Sequence, residues 1–429
     1  MNKNFVNFHI LISHSPSCLN RDDMNMQKSA IFGGKRRVRV SSQSLKRTMR
    51  TSDYYQQFFP EKSIRTRQLG LLADELVAKL NQEDDGGLER KWIEKAIQVF
   101  TSNTVDSEDE ESDELGEVDS GNQDDTKERK KVAVAPWSVS EFKVICHAVK
   151  KAYSEELTQK DQDALQKAVE KEKSRKATKK KPKKSDDEIK DDFLLKKIKK
   201  SLESDIESLQ KACGSATDIA LSGRMATSGL MTSIDGSLAV AHAITTHAVD
   251  ADIDWFTAVD DLQELGSGHL DTQEFSSGVF YRYASLNLKQ LQVNLGLLPN
   301  MKAEETKEGR TKALEIAAHV LHMLATEVPS AKQQSFAAHN LADIALISFS
   351  NQPISLANAF EKPVLAEKSG GFRAPSTTEL HKYWENIHKG YGLDETCAEF
   401  SLDKIDPPVG ITKRDSLPEL KQWVCNDAK

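Results

Sequence analysis

The sequence predicts an α+β protein, and three observations carry that prediction. Residues 4–12 alternate apolar and polar positions as a strand does. Residues 64–153 contain several stretches with helical spacing. After residue 276 an aromatic strand, an amphipathic helix and a buried strand follow in turn. Strand, helices, aromatic strand, helix, strand is an α+β order.

The first strand places Val6, Phe8, Ile10 and Ile12 on one face, the expected core side. His9 falls on the other face and reads as a partly exposed strand residue rather than a catalytic one. A polar loop from Ser13 to Met26 follows. The next segment, Gly33 to Arg50, holds seven basic residues and no acid, in a chain of formal net charge −7. Arg37-Val38-Arg39-Val40 alternates charged and apolar, as a half-buried strand does. Ser41 and Ser42 are placed to cap a helix on which Lys46 and Arg50, four residues apart, share a face. A helix N-terminus suits an anion, and arginines on the preceding strand add forked donors for phosphate oxygens. The segment reads as a phosphate-binding edge.

Residues 64–80 have helical spacing at Ile64, Leu69, Leu72, Leu76 and Leu80, and residues 88–100 and 137–153 continue in that style. Two polar tracts interrupt this helical region. Residues 104–126 hold eleven Asp or Glu and no Lys or Arg, with almost nothing to bury, so disorder is expected. Residues 171–192 are the basic counterpart, read as a solvated surface insertion because such tracts bind polyanions unselectively. Asp218 to Leu221 then leads into Ser222–Gly229, a loop of small residues with a basic tip at Arg224. Residues 249–279 set Trp255-Phe256 among acids, which suggests an excursion carrying an exposed aromatic pair. Val279 to Tyr283 reads as the aromatic strand, 311–327 as a helix with Leu314, Ala317, Leu321 and Leu324, and Asp343 to Phe349 as a buried strand.

A length of 429 residues permits roughly two or three domains. The acidic net charge argues against a protein that coats nucleic acid with its whole surface, but it leaves room for a basic groove. Cys18, Cys146, Cys213, Cys397 and Cys425 are scattered, odd in number and with no CxxC pair, which fits a reduced cytoplasmic compartment and speaks against a zinc ribbon or a disulfide framework. The N-terminus is not a convincing signal peptide, and no stretch is apolar enough to span a bilayer, so no membrane is expected. No GxxxxGK[ST], GxGxxG or HExxH occurs, and no cofactor is expected. His242 and His247 do not share a helical face and read as structural histidines, so no metal is expected. Asp22 and Asp23 suggest an alternative, a metal-dependent ribonuclease, although two adjacent acids without a positioned partner are usually a loop or a cap. Basic side chains with exposed aromatics and small-residue loops suit single-stranded RNA, although the usual RNP1 pattern of an RRM sheet is absent.

Several blocks resemble the backbone subunit of the type I-E CRISPR Cascade complex, the CasC family of the RAMP superfamily. They are Ser13–Asp23, Ile31–Arg37, Val40–Arg47, Ala220–Thr227, Asp254–Leu262 and Gln273–Gly278, in the family's order. The resemblance covers nearly the whole chain outside the charged tracts. It implies an RRM-like (ferredoxin-like) palm formed by residues 1–59, 240–248 and 280–429. It also implies inserted helical fingers over 60–239, with disordered charged insertions near 104–131 and 171–192, and a protruding thumb at 249–279. It assigns Lys28, Ser41, Gln43, Lys46, Arg47 and Arg50 to the guide backbone, with Arg21 close by. Met225 would wedge beside a base, and Trp255, Phe256 and Thr257 would sit on the thumb that kinks the guide. The implied protein is no enzyme. It polymerises along CRISPR RNA and presents the guide for pairing with target DNA. Its implied partners are further copies of itself and the large, small, guide 5′-end cap and guide-processing subunits. The alternative ribonuclease would cut guide-paired RNA with Asp22 or Asp23, as type III backbone subunits of the wider superfamily do with a loop aspartate.

Overall fold

The computed structural model describes residues 2–59, 61–66, 69–82, 88–101, 135–174, 183–225, 233–259 and 267–429. The chain forms two compact units, Met1–Pro60 with Gly236–Val293 and Leu297–Lys429, and Glu61–Asp235 with Asn294–Gly296.

The first unit opens with β1 (Phe5–Ser17), β2 (Ser29–Phe32), β3 (Lys35–Val40), α1 (Ser42–Thr51) and α2 (Asp53–Phe58). β2 and β3 form a hairpin in which Phe32 faces Lys35 across Gly33-Gly34. Both glycines have positive φ, 57° and 70°, the pair that a two-residue type I′ turn requires. A Cβ on Gly33 would lie 1.7 Å from the Glu361 carbonyl oxygen, so only glycine lets that backbone approach.

The second unit is mainly helical. β4 (Ile64–Thr66) pairs antiparallel with β5 (Ala135–Trp137). The helices are α3 (Leu69–Gln82), α4 (Arg90–Thr101), α5 (Val139–Ser154), α6 (Gln159–Ser174), α7 (Asp186–Ser204), α8 (Ile206–Cys213) and α9 (Thr217–Ser222). Their apolar stripes meet in one core containing Leu72, Leu76, Ile93, Phe142, Ile145, Val149 and Ile198. The helix expected from Ile64 begins only at Leu69, because residues 64–66 pair with β5. The acidic tract at 104–126 lies outside the described residues. Of the basic tract, the described residues 171–174 and 186–192 are helical, contrary to the expected disorder near 171–192. Residues 171–174 close α6, and 186–192 open α7 behind a capping box in which Ser185 and Glu188 satisfy each other's backbone N–H.

Back in the first unit the elements are β6 (Leu238–Val240), β7 (Ala243–Thr245), β8 (Asp252–Val259), β9 (Ser267–Asn287), α10 (Leu288–Asn294), α11 (Lys307–Thr326), α12 (Gln333–Phe336), β10 (Ile344–Ser350), α13 (Arg373–Tyr391), β11 (Thr396–Ser401), β12 (Ile411–Arg414) and α14 (Leu417–Cys425). Ten strands form one sheet among the described residues, in the order β12-β11-β10-β1-β9-β7-β3-β2, with β6 and β8 also paired to β9. All of these pairings are antiparallel except β11 with β12.

β1 is buried on both faces. Arg282, opposite Ile10, donates to the carbonyls of Leu324 (3.0 Å) and Glu327 (2.9 Å), which sets the end of α11 over the Ile10 face. On the other face Leu11, Tyr281 and Ile344 pack with Leu380 and Trp384 of α13. His9 lies on that second face and is 2% exposed, so the expectation of a partly exposed residue fails because α13 covers it. Its Nδ1 meets the Tyr281 hydroxyl at 2.8 Å, and burial pushes its pKa down to about 3. Among the described residues no helix is long and apolar enough to cross a membrane.

Candidate nucleic-acid interface

The basic segment divides between two chemical roles. Arg37, expected to donate to phosphate, is fully buried on β3. Its guanidinium donates to the carbonyls of Thr245 (3.0 Å), Phe360 (3.0 Å) and Glu361 (3.2 Å). Arg36 is paired with the buried Glu274 at 2.7 Å. Arg39 reaches His242 Nδ1 at 3.2 Å. The strand arginines are therefore held by protein acceptors, which strand alternation alone does not show.

α1 is different. Leu45 and Met49 pack inward, and Gln43 and Arg47 are exposed. The helix N-terminus is already occupied by protein. The Ser41 hydroxyl accepts from the Ser44 N–H (3.2 Å), and His242 Nδ1 accepts from the Ser42 N–H (3.2 Å). Ser41 is itself buried, and its N–H donates to Asn20 Oδ1 at 2.9 Å. Anion binding at the bare helix end, as expected from the capping pattern, is thus not the arrangement found. The cationic face along the side of α1 remains.

That face borders an open groove of about 370 Å³ lined by residues that include Asn20, Arg21, Ser44, Arg47, Thr48 and Glu327. Two arginines from separate elements line it with five hydroxyl side chains, against one acid. Burial, and then Asp53, raise the pKa of the Glu327 carboxyl. The Asn20 carbonyl also accepts from the Lys28 N–H at 2.8 Å, so one asparagine ties the loop carrying Arg21 and Lys28 to the start of α1. His242 is held toward its neutral form by burial first, then by Arg39 and Lys28. Neutral, it can accept the Ser42 and Arg39 hydrogens. Sequence reasoning missed these positioning roles of Asn20 and His242. Asn20 stood inside a matched block, but His242 is 200 residues from Ser42 and carries no local signal.

A family profile described as CT1975-like protein matches residues 6–423. The chain belongs to the CT1975-like protein family. It is also similar, over 99% of its length and 100% of the other chain, to a chain of a structure titled "CRISPR RNA-guided surveillance complex, pre-nicking", at 27% identity and a TM-score of 0.68. A second structure, "CRISPR RNA-guided surveillance complex", matches over the same shares at 22% identity and a TM-score of 0.54, which speaks for the fold. Comparison with curated protein sequences gives no match.

The remaining predicted residues of this CT1975-like chain are spread more widely. Met225 is 90% exposed, in the second unit. Its neighbour Arg224, expected at a basic loop tip, is buried and pairs in forked geometry with Glu141 at 2.7 and 2.9 Å. Trp255 is 66% exposed on β8, which pairs with β9 in a long hairpin. Phe256 and Thr257 lie on the same strand, and their side chains are outside the described residues. Lys46 and Arg50 are half-buried on α1. Asp22 Oδ1 accepts from the N–H groups of Met24 (2.9 Å) and Met26 (3.0 Å), the loop-cap role. His247 stacks on Phe372 with ring centroids 3.7 Å apart and accepts from the Val279 N–H, a structural role.

Proposed function

We propose that this chain is a Cascade-type CRISPR subunit that grips the backbone of CRISPR RNA along the α1 face. The full-length likeness to a chain of an RNA-guided surveillance complex carries the reading. The groove between Arg21 and Arg47 supplies the chemistry. Arginine forks on phosphate hold a strand without reading its bases, so one subunit serves any guide. Specificity is then left to base pairing between guide and target DNA.

In finer detail the reading is a type I-E backbone subunit of the CasC kind. β1, α1, β7, β9, α11 and β10 follow the β-α-β-β-α-β order of a ferredoxin-like unit, and this supports the RRM-like palm. In this reading the helical second unit would be the fingers, and the β8–β9 hairpin bearing Trp255 would be the thumb that bends the guide. Repetition along one polymer calls for a heterologous, non-closing contact between copies. The subunit acts by binding. Asp22 caps its own loop, so complementary RNA incubated with Mg²⁺ should stay uncut.

The test is purification from cells that make CRISPR RNA, followed by extraction of the bound nucleic acid. Guide-length RNA is expected. Protein that comes out free of RNA and shows no affinity for RNA added later would sink the reading. Replacing Arg21 and Arg47 with Ala should weaken binding equally for all guide sequences. It should flatten the log–log salt dependence by about 0.7 per lost phosphate contact.

A further inference from the structure

Far along the chain from the basic face, α13, β11 and the connection between them bring together three side chains of different chemistry. A ring nitrogen of His388, a carboxylate oxygen of Glu395 and the sulfur of Cys397 all lie within 4.8 Å of one another. They form the one such group among the described residues. We propose that His388, Glu395 and Cys397 form a zinc site that fastens the C-terminal end of α13 to β11.

The hydrogen bonding of the histidine supports this. His388 Nδ1 lies 2.9 Å from the Trp384 carbonyl oxygen. A carbonyl only accepts, so Nδ1 carries a proton, which leaves Nε2 to face Glu395. That Nε2 is buried and has no hydrogen-bond partner, although it lies 2.8 Å from Glu395 Oε2. At this distance a bare lone pair and a carboxylate oxygen would repel, so something positive, a proton or a metal ion, must lie between them. A cation shared by both atoms removes the conflict. The imidazole fixed through its other nitrogen is the usual support of a metal-bound histidine. Ser348 Oγ donates to the second oxygen of Glu395 at 3.2 Å, which orients the carboxylate in the same manner.

The donor set selects the ion. One nitrogen, one oxygen and one sulfur do not suit Mg²⁺ or Ca²⁺, which take oxygen, but they suit Zn²⁺ with water in a fourth, tetrahedral position. Ligand atoms around tetrahedral zinc stand roughly 3.3–3.7 Å apart, so seating the ion asks about an ångström of side-chain movement. The site is buried, with side-chain exposures of 14% for His388 and 4% for Glu395, and Cys397 is 1% exposed as a residue. Without an ion, burial pushes the Cys397 thiol up to about 12. Zn²⁺ would take the thiolate and release that proton to solvent, so affinity should rise with pH.

The experiment uses the full chain, stripped with chelator and kept reduced, then titrated with Co²⁺ followed by Zn²⁺. One equivalent of Co²⁺ should give tetrahedral visible bands and a thiolate-to-cobalt band, and Zn²⁺ should displace it and raise the Tm. Cys397→Ser should abolish the thiolate band. His388→Gln should weaken binding at least about tenfold, and it covers the case in which Cys397→Ser folds poorly. Cys425→Ser should change nothing. Absence of stoichiometric binding, an octahedral cobalt spectrum, or a thiolate band that persists in Cys397→Ser would overturn the site. RNA binding is not involved, so failure here leaves the proposed function standing.

Discussion

β3 and α1 are adjacent in sequence and both basic, yet they put their charge to opposite uses. On β3, Arg37 is fully buried and directs its guanidinium at three backbone carbonyls, so it is part of the fold. On α1, Arg47 is exposed and borders a groove with Arg21, so it is available to a ligand. Local charge density therefore does not locate a binding site. The partner that reaches each cation does, and on β3 that partner is protein.

The strongest way to break this contrast is Arg37→Ala. Three carbonyls, those of Thr245 and Phe360 in buried contacts, would lose their donor, and the stability loss should be about 3–5 kcal/mol by denaturant unfolding. A loss below about 1 kcal/mol would place Arg37 with the surface cations instead.

Acid sharpens the contrast next. The sheet interior keeps the charge of Arg37 because carbonyls surround it, but it holds His9 neutral, with a pKa of about 3 against the usual 6.5. The folded state thus binds fewer protons than the unfolded state between those values. This contribution is undisturbed above pH 6.5 and is lost as pH falls toward 3. At pH 5 the loss from His9 should be about 2 kcal/mol. His9→Gln should remove that share of the acid sensitivity, and an unchanged pH profile would show that His9 gains its proton without cost.

The smallest effect belongs to α1. Arg47→Ala should change folding stability by less than about 0.5 kcal/mol while weakening RNA binding at every guide sequence. A large stability loss there would erase the difference between the two elements.

Much of the architecture was legible from patterning. Strand alternation at residues 4–12, the apolar stripe at 311–327 and the aromatic run at 279–283 report burial that depends on near neighbours in sequence. The expectation for His9 failed because alternation tells which residues share a face, not whether α13 will cover that face. The helix read from Ile64 failed because three residues pair with β5, about 70 positions away. Arg224 looked like an exposed tip until Glu141 was in place beside it.

By itself, the amino-acid order determined the element types, the position of the basic segment and the family blocks, since these rest on period, capping and composition. Only the tertiary structure decided which cations the protein keeps for itself, where Asn20 and His242 fasten the start of α1, and that His388, Glu395 and Cys397 meet. Burial and hydrogen bonding are set by groups distant in sequence, and their strength depends on contacts that exist only once the chain has folded.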